Sequence, residues 1–404
     1  MKSLMLHRFH AYGLLCRIGG CFFIQNFNRH SLEKVRIAWK SLYTLYSASC
    51  VLFSFGFFVW FDAVFIIRES STAYGLSGFF SETLTLTLHA VASCRVLINF
   101  SLMVAGSGKL LDFFRKAVIF EQTTGFAPAR SCAPISRGLG CSLLRRILVI
   151  VALATSYVLF VYFYIVDSAD ALAPEWALTS KVVGSIAAVF LFLYDSLSYV
   201  VLRGCSGVLL EYVSAQLRAF QDCSKPQDVL PRLQAARQLE TIRLNVCSIR
   251  ELTQILNSIW KASLAGKCAG IILANCVVLY SMFHDGVFQR MVFITLSYCT
   301  YSSLAFFELV FISQALMDET QELKNATKKV RTSDATDNYA QELHYLHQSI
   351  DPKGMCLSGG GFFRLSKSLL VTMTGSIITY TVILVQTSDE ITSKMESVGA
   401  PPGS

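Results

Sequence analysis

Charged residues are scarce in this sequence. They make up 15% of its 404 residues, whereas 53% are hydrophobic. A water-soluble domain of this length would carry more charge on its surface, so the composition argues against a soluble protein and indicates a chain that uses lipid as its solvent. The net charge of +8 does not indicate nucleic-acid binding, because the basic residues flank apolar runs and are better explained by orientation in a membrane.

The motifs of enzymes and metal centres are also missing. The sequence contains no HExxH, no GxSxG and no phosphate-binding loop, so it lacks the residue patterns that common hydrolases and nucleotide-binding enzymes need. Its 13 cysteines are scattered without a CxxC pair, and none lies in a segment predicted to be extracellular. We therefore expect no enzymatic activity, no cofactor, no metal site and no structural disulfides.

Long apolar runs are what the sequence does have. A hydrocarbon core of about 30 Å takes about 20 residues of helix, and backbone groups in lipid must be satisfied within the segment, so each such run is predicted to be helical. The seven predicted spans are Ser41–Ile67, Thr83–Gly106, Ile147–Val166, Val182–Leu202, Ala262–Phe283, Met291–Gln314 and Ser368–Gln386. The predicted fold class is all-α, a polytopic membrane protein with seven transmembrane helices.

The lysines and arginines orient these spans. Seven lie in residues 1–40, seven in 105–146, seven in 203–259 and six in 315–366, together 27 of the 35 in the chain. Basic residues concentrate in cytoplasmic loops, so the N-terminus is predicted to be cytoplasmic and the C-terminus extracellular. This direction argues against a G-protein-coupled receptor, whose seven helices begin outside the cell.

Three basic residues fall close to spans. Lys261, Lys267 and Lys367 are placed at the cytoplasmic ends of spans five and seven. There we expect their long side chains to snorkel toward water.

The spans divide the chain into seven segments. They are an N-terminal cytoplasmic or interfacial segment (1–40), transmembrane helices one to four (41–202), a cytoplasmic helical extension (203–261), transmembrane helices five and six (262–314), a cytoplasmic helical anchor (315–366), the last transmembrane helix (367–386) and an extracellular tail (387–404). Within the first segment, the apolar stretch Ala11–Ile24 is too short to span and is predicted to be a helix against the inner membrane face.

Two cytoplasmic stretches have helical patterns of their own. In the first, apolar residues recur at steps of three and four, which predicts a helix with one apolar stripe. The stripe consists of Leu239, Ile242, Val246, Ile249, Leu252 and Leu256. It either packs within one subunit or joins two subunits. The second helix is predicted over Asn338–Ile350, after a flexible loop at Asn325–Asp337 and before a glycine-rich joint at Gly359–Gly361.

The last span carries a polar stripe. Thr372, Ser376, Thr379, Ile383 and Gln386 follow one another at steps of four, three, four and three, so they lie on one face of the helix. Hydroxyl and amide groups in lipid need another helix or water as a partner. The stripe therefore predicts either a helix–helix contact or the wall of a water-lined pore, narrowed at Ile383 or Gln386.

The same span carries a family signature. Thr379-Tyr380, the mainly hydrophobic Thr381–Val385 and Gln386 resemble the Thr-Tyr-(five hydrophobic)-Gln-Phe signature of insect gustatory receptors. Thr381 departs mildly from that pattern, and Thr387 replaces its final Phe. The preceding Gly361–Leu370, the length and the predicted topology also resemble that family over the whole chain.

This resemblance implies a tastant-gated, non-selective cation channel in the plasma membrane, related in fold to insect odorant-receptor channels. It implies a homotetramer or a heteromer with related subunits, which passes Na⁺, K⁺ and Ca²⁺ through a pore lined by the last helix. Gln386 matches the gate position, and the helices 239–256 and 338–350 would serve in assembly. The alternative function is a metabotropic seven-helix receptor that signals through a cytoplasmic partner.

The resemblance also places a ligand pocket among the outer halves of spans two to six. The polar and aromatic candidates there are His89, Arg95, Tyr157, Asp195, Asn275, Tyr298 and Tyr301. Arg95 and Asp195 either contact a ligand or pair with each other inside the membrane. Few tryptophans are present to form a sugar platform, so a tastant less polar than a sugar is expected.

Overall fold

The chain is almost entirely helical in a computed structural model. The structure describes residues 3–25, 27, 32, 35–37, 39–70, 76–126, 139–166, 174–224, 232–284, 290–330 and 337–399. Within these residues, β-structure is limited to two short antiparallel hairpins, so the predicted all-α class is confirmed.

Ten α-helices occur within the described residues. They are α1 (Leu4–Ile18), α2 (Leu42–Ser70), α3 (Leu76–Ala105), α4 (Ser107–Thr123), α5 (Leu139–Leu159), α6 (Pro174–Cys223), α7 (Arg232–His284), α8 (Arg290–Lys329), α9 (Asp337–Ser349) and α10 (Lys367–Gly399). The last turns of α5 widen into a π-helical segment, Phe160–Val166. The hairpins pair β1 (Ile24–Gln25) with β2 (Arg36–Ile37), and β3 (Ser358–Gly359) with β4 (Phe363–Arg364).

Four of the seven predicted spans lie wholly within a longer α-helix. Ser41 and Gly106 fall just outside α2 and α3, and the third span runs from α5 into the π-helical segment. Five helices in the described part of the chain are long and apolar enough to cross a membrane, and counting the bent pair α3–α4 as one span raises this number to six. The first predicted span contains a shorter apolar stretch of helix, Leu42–Phe57. The last helix does not end at Gln386 but continues to Gly399, into the segment predicted to be an extracellular tail.

Helix α4 was not predicted. It follows α3 after a bend of 59° at Gly106, where a side chain would collide with the Leu102 carbonyl oxygen. Most of its apolar residues, including Leu110, Phe113 and Phe114, are buried against the rest of the chain. The stretch 105–146 is therefore partly a packed amphipathic helix and not only a loop.

Helices α6, α7 and α8 form the centre of the bundle. They pack against one another, with α3 against α6 and α7, and α5 against α8. Their most apolar stretches are 56–61% buried in the chain, whereas those of α5 and α10 are only 11% buried. Helices α5 and α10 therefore lie at the periphery, where each exposes an apolar surface to lipid or to another chain.

The apolar stripe on α7 is used inside the subunit. All six of its side chains, from Leu239 to Leu256, are at most 3% exposed. Helices α4 and α9 pack against α7, and Leu343 and Leu346 of α9 are buried as well. The stripe therefore packs within one chain, and its predicted role as a contact between subunits is not supported.

The connection from α8 to α10 is more ordered than predicted. Helix α8 runs to Lys329, through the first part of the predicted loop at 325–337. After α9, a short 3₁₀ turn at Pro352–Met355 leads to the β3–β4 hairpin, whose turn contains Gly360 and Gly361 with φ of 66° and 83°. These left-handed conformations favour glycine, and they place the Phe362 side chain, 88% exposed, at the tip.

The N-terminal helix begins and ends earlier than the predicted stretch 11–24. Met5, Leu6 and Phe9 are buried against the bundle, so α1 is part of the packed core and does not lie only on a membrane face. Its first turn is held by a buried carboxylate on α4: Glu121 accepts hydrogen bonds from the backbone N–H groups of Leu4 and Met5, both at 2.9 Å.

A third donor reaches the same carboxylate. The Tyr212 hydroxyl of α6 donates a short hydrogen bond to Glu121. Burial and the neighbouring carboxylate raise the pKa of Tyr212 far above its ordinary value, so the phenol stays protonated and remains a donor. Glu121 thus joins α1, α4 and α6 at one point.

Candidate functional site

A cavity of about 100 Å³ lies between α3, α5 with its π-helical end, α6 and α8. Most of its wall is apolar, and the rings of Phe160, Phe192 and Tyr298 form part of it. The remaining lining residues are Ala92, Ser93, Val96, Ser156, Leu191, Asp195, Ile294 and Thr295. A mostly apolar cavity with a few polar groups is the usual form of a small-molecule site.

Asp195 gives this cavity a carboxylate. Its Oδ1 accepts a hydrogen bond from Arg95 Nη2 at 2.8 Å, and the two side chains are only 3% and 6% exposed. The guanidinium also lies 5.6 Å from the centre of the Tyr298 ring. Asp195 Oδ2 is buried and has no hydrogen-bond partner in the described part of the chain. Asp195 therefore satisfies Arg95 with one oxygen and keeps the other as an unused acceptor.

Three helices meet beside this ion pair. The Asn99 side chain on α3 donates to the backbone carbonyl groups of Tyr194 and Asp195 on α6, at 3.2 and 3.1 Å. Its own carbonyl oxygen accepts from Ser263 on α7 at 2.5 Å. Since all three polar groups are buried, this junction fixes the helix that presents Asp195 to the cavity.

A further cation is buried near the pair. Lys267 on α7 is 2% exposed, and its Nζ has no hydrogen-bond partner among the described residues. It lies 5.9 and 6.0 Å from the ring centres of Tyr199 and Tyr301, at the edge of the cation–π range. The expectation that Lys267 snorkels to water is wrong, because its side chain ends inside the bundle.

The Tyr199 ring connects this lysine to a second buried ion pair. Glu308 on α8 accepts from the Tyr199 hydroxyl and, at 2.8 Å, from Arg203 Nε on α6. Arg203 also donates to the Tyr12 hydroxyl of α1 at 3.2 Å. Polar contacts thus continue from the cavity wall along α6 to the N-terminal helix.

The polar stripe of the last helix lies on the surface of the single chain. Thr372, Thr379, Ile383 and Gln386 are exposed, and Ser376 is half-buried. The buried residues Met373 and Thr381 of α10 lie about 100° and 180° around the helix from the centre of the stripe. The stripe therefore faces away from the chain's own helices, and a helix–helix contact within the subunit does not explain it.

The sequence matches a family model over this whole architecture. A model described as 7tm Chemosensory receptor matches residues 9–391. The chain belongs to this family. The receptor is therefore a multi-pass membrane protein with the seven-helix fold predicted from its apolar runs, and its family is one of receptors and not of enzymes.

Solved structures share the receptor's fold. The insect olfactory receptor OR5 from Machilis hrabei, in complex with eugenol, has a TM-score of 0.69 and 14% sequence identity, with 94% of this chain and 97% of that chain covered. A second structure of the same olfactory receptor has a TM-score of 0.70 and 15% identity, with the same coverage. No curated protein sequence matches the receptor.

The predicted ligand residues of the receptor divide into four groups. Asp195 and Tyr298 line the cavity, and Arg95 and Tyr301 lie against these two residues. Tyr157 and Asn275 are not part of the lining. Tyr157 donates to the Ser185 carbonyl oxygen at 3.3 Å and packs its ring on Phe192, whereas Asn275 bonds its own helix and Ser303 of α8. The side chain of His89 lies outside the described residues.

Three buried polar residues near the site were not predicted for it. They are Asn99, Lys267 and Glu308, each inside a predicted span. A charge or amide inside a hydrophobic run is itself a signal of a functional or paired group. The charge of Glu308 inside a predicted span was such a signal. Lys267 lies near the end of a predicted span, so its charge was explained by contact with water.

Replacing Lys267 with methionine is expected to stabilise the receptor, by about 1–2 kcal/mol. The substitution keeps most of the side chain's length and removes a buried cation that no hydrogen bond compensates in the described structure. The measurement is the midpoint of thermal unfolding of the purified receptor in detergent. Lys261→Met, which changes an exposed lysine on the same helix, is the control. A lower midpoint for Lys267→Met would mean that the lysine compensates Asp195 electrostatically.

Proposed function

We propose that the receptor is a gustatory-type, ligand-gated, non-selective cation channel of the plasma membrane. Four subunits, identical or related, surround one pore that is lined by α10. The observation that carries this proposal is the exposure of the polar stripe on α10. Five residues that include two threonines, a serine and a glutamine face away from the chain's own bundle, and in a membrane such groups need water or other polar partners.

A ring of α10 helices satisfies these groups. With one helix from each subunit, Thr372, Ser376 and Thr379 face a shared aqueous path, and their hydroxyl oxygens replace part of a cation's hydration shell. Ile383 and Gln386 follow about one and two turns further along the helix. There an apolar ring and a ring of amides narrow the path, so that ions pass only when the helices move apart. In this arrangement, the peripheral position of α10 in each subunit allows the helix to line the pore.

The cavity between α3, α5, α6 and α8 is the proposed tastant site. It is mostly apolar and lies inside the single chain, so each subunit holds its own ligand. The relative OR5 is described in complex with eugenol, a small organic molecule. A ligand that changes the packing of α6 and α8 at the cavity also acts on α7, against which both helices and α10 pack.

Replacing Gln386 with alanine is expected to change ion selectivity or to produce a leak current without ligand. The substitution removes an amide from each subunit at the proposed constriction, which widens it and makes it less polar. The measurement is patch-clamp recording of reversal potentials and basal current in cells that express the full chain. Thr374→Ala is the matched control, because Thr374 lies on the other side of α10 and bonds its own helix at Leu370.

If the currents of Gln386→Ala are like those of the unaltered channel, the constriction lies at another part of α10. The channel proposal itself is tested with purified receptor in cell-free lipid bilayers. Ligand-evoked currents there need no cytoplasmic partner. Their absence, in a preparation that still binds ligand, would favour the metabotropic alternative.

A further inference from the structure

The cavity has one strongly directional feature. Most of its lining is apolar or aromatic, while Asp195 contributes a buried carboxylate whose Oδ2 has no hydrogen-bond partner in the described part of the chain. Leaving such an acceptor unpaired in a membrane interior is costly. An occupant of the cavity that donates a hydrogen bond removes this cost, whereas an occupant without a donor leaves it in place.

The charged side chains around the cavity favour an uncharged occupant. Arg95 neutralises Asp195 at 2.8 Å, and Lys267 adds a second buried cation close enough to interact with both. A cationic ligand would therefore meet two cations and lose its own hydration. An anionic ligand would meet the carboxylate oxygen at the cavity wall. A neutral donor avoids both costs and gains a charge-assisted hydrogen bond.

The size of the cavity limits the rest of the molecule. Its volume is about 100 Å³, somewhat below the roughly 150 Å³ of an engineered apolar cavity that binds benzene. One ring fills it, and anything larger requires the lining side chains to shift. Phe160, Phe192 and Tyr298 give such a ring aromatic contacts on several sides. The lining is too poor in polar groups for a molecule with many hydroxyls.

We propose that the receptor recognises neutral single-ring molecules that carry one hydroxyl or N–H group, which donates to Asp195 Oδ2. This inference rests on the proposed function for its biological meaning, since it names the class of ligand that occupies the proposed tastant site. The Tyr298 hydroxyl lies near the Asp195 carboxylate at the cavity wall but makes no hydrogen bond to Oδ2 in the described structure. The ligand donor therefore approaches Oδ2 beside this hydroxyl.

Four probes of similar size test the proposal. They are p-cresol, which has a neutral donor, p-fluorotoluene, which has a similar shape and no donor, benzylamine as the cation and benzoate as the anion. Binding to the purified full-length receptor in lipid nanodiscs is measured by equilibrium dialysis, and binding to empty nanodiscs is subtracted. We expect p-cresol to bind at least about tenfold more tightly than each of the other three, the ratio of a charge-assisted hydrogen bond.

Variants test whether the preference comes from the Asp195 carboxylate. Asp195→Asn is expected to reduce the advantage of p-cresol over p-fluorotoluene to less than about threefold, since the acceptor loses its charge. Asp112→Asn, the same change at an exposed position on α4, should leave the ratio unchanged. Tyr298→Phe removes the competing hydroxyl and should leave p-cresol binding equal or tighter. If Asp195→Asn does not fold, the ranking of the four probes on the unaltered receptor decides.

Failure of this inference can be told apart from failure of the channel proposal. Equal binding of p-cresol and p-fluorotoluene, tighter binding of benzylamine or benzoate, or no binding of any probe would overturn the ligand class. Currents evoked equally by donor and non-donor probes would also overturn the ligand class, but they would support the channel proposal. A p-cresol preference without any current in bilayers would support the ligand class and count against the channel.

Discussion

Replacing Arg95 with methionine is expected to destabilise the receptor by about 3–5 kcal/mol, the cost of leaving a buried carboxylate without its partner. Asp195 is almost fully buried, and its carboxylate accepts a hydrogen bond from Arg95 at 2.8 Å. Lys267 interacts with Asp195 only at longer range and does not hydrogen-bond it. The measurement is the thermal midpoint and the yield of monodisperse protein in fluorescence-detected size-exclusion chromatography.

A second substitution distinguishes the unpaired charge from lost packing. In the double variant Arg95→Met with Asp195→Leu, no buried charge remains unpaired at this position, and we expect most of the stability to return. The double variant should nevertheless lose the preference for p-cresol, because the acceptor is gone. If the single variant is as stable as the unaltered receptor, another cation has taken the place of Arg95.

Replacing Glu121 with leucine is expected to release the N-terminal helix from the bundle. Three donors meet at this carboxylate, from Leu4, Met5 and Tyr212. Each buried donor left without an acceptor costs about 1–3 kcal/mol, so the total is about 3 kcal/mol or more. Limited digestion with trypsin, followed by mass spectrometry, should show faster cleavage after Arg8 and Arg17 on α1.

The matched control is a change at the same helix interface that affects only an exposed pair. Arg8 and Glu211 form an ion pair at 2.5 Å in which both side chains are well exposed, and exposed pairs contribute little to stability. Glu211→Gln should therefore leave the digestion rate nearly unchanged. An unchanged rate in Glu121→Leu as well would mean that α1 is held by its apolar side chains alone.

The positions of the spans could be predicted from the sequence because a lipid core imposes one strong requirement. A run of about 20 apolar residues must be helical there, and the seven predicted runs are helical apart from the end residues Ser41 and Gly106. The ends could not be predicted. Helices α6, α7 and α8 continue beyond the apolar runs as amphipathic helices, and hydropathy does not mark the point where a helix leaves the membrane.

Helix α4 and the α7 stripe show two different limits of prediction from sequence. The apolar spacing at Leu110, Phe113 and Phe114 was present in the sequence, but the high charge of the loop concealed it. The stripe from Leu239 to Leu256 was found, yet a stripe alone does not name its partner. Only the three-dimensional arrangement shows that α4 and α9 cover α7 within the same chain.

The candidate site was predicted in part. Arg95 and Asp195 stood out because charges are rare in a span, and the structure joins them in one ion pair at the cavity. Asn275 and Tyr157 stood out as a polar and an aromatic residue within spans but bond elsewhere, since polarity does not reveal which way a side chain points. The lining residues Phe160 and Phe192 are ordinary span residues in sequence, and only the packing of α5 against its neighbours makes them part of a cavity.

The unbroken course of α6 has a mechanical consequence. From Asp195 at the cavity wall, the helix runs without interruption to Cys223, about 42 Å at 1.5 Å per residue. A tilt of about 1° with its fulcrum at Asp195 therefore displaces the far end by about 0.7 Å. The helix acts as a lever, so a ligand that moves the cavity wall only slightly transmits a larger displacement to the opposite end of the molecule.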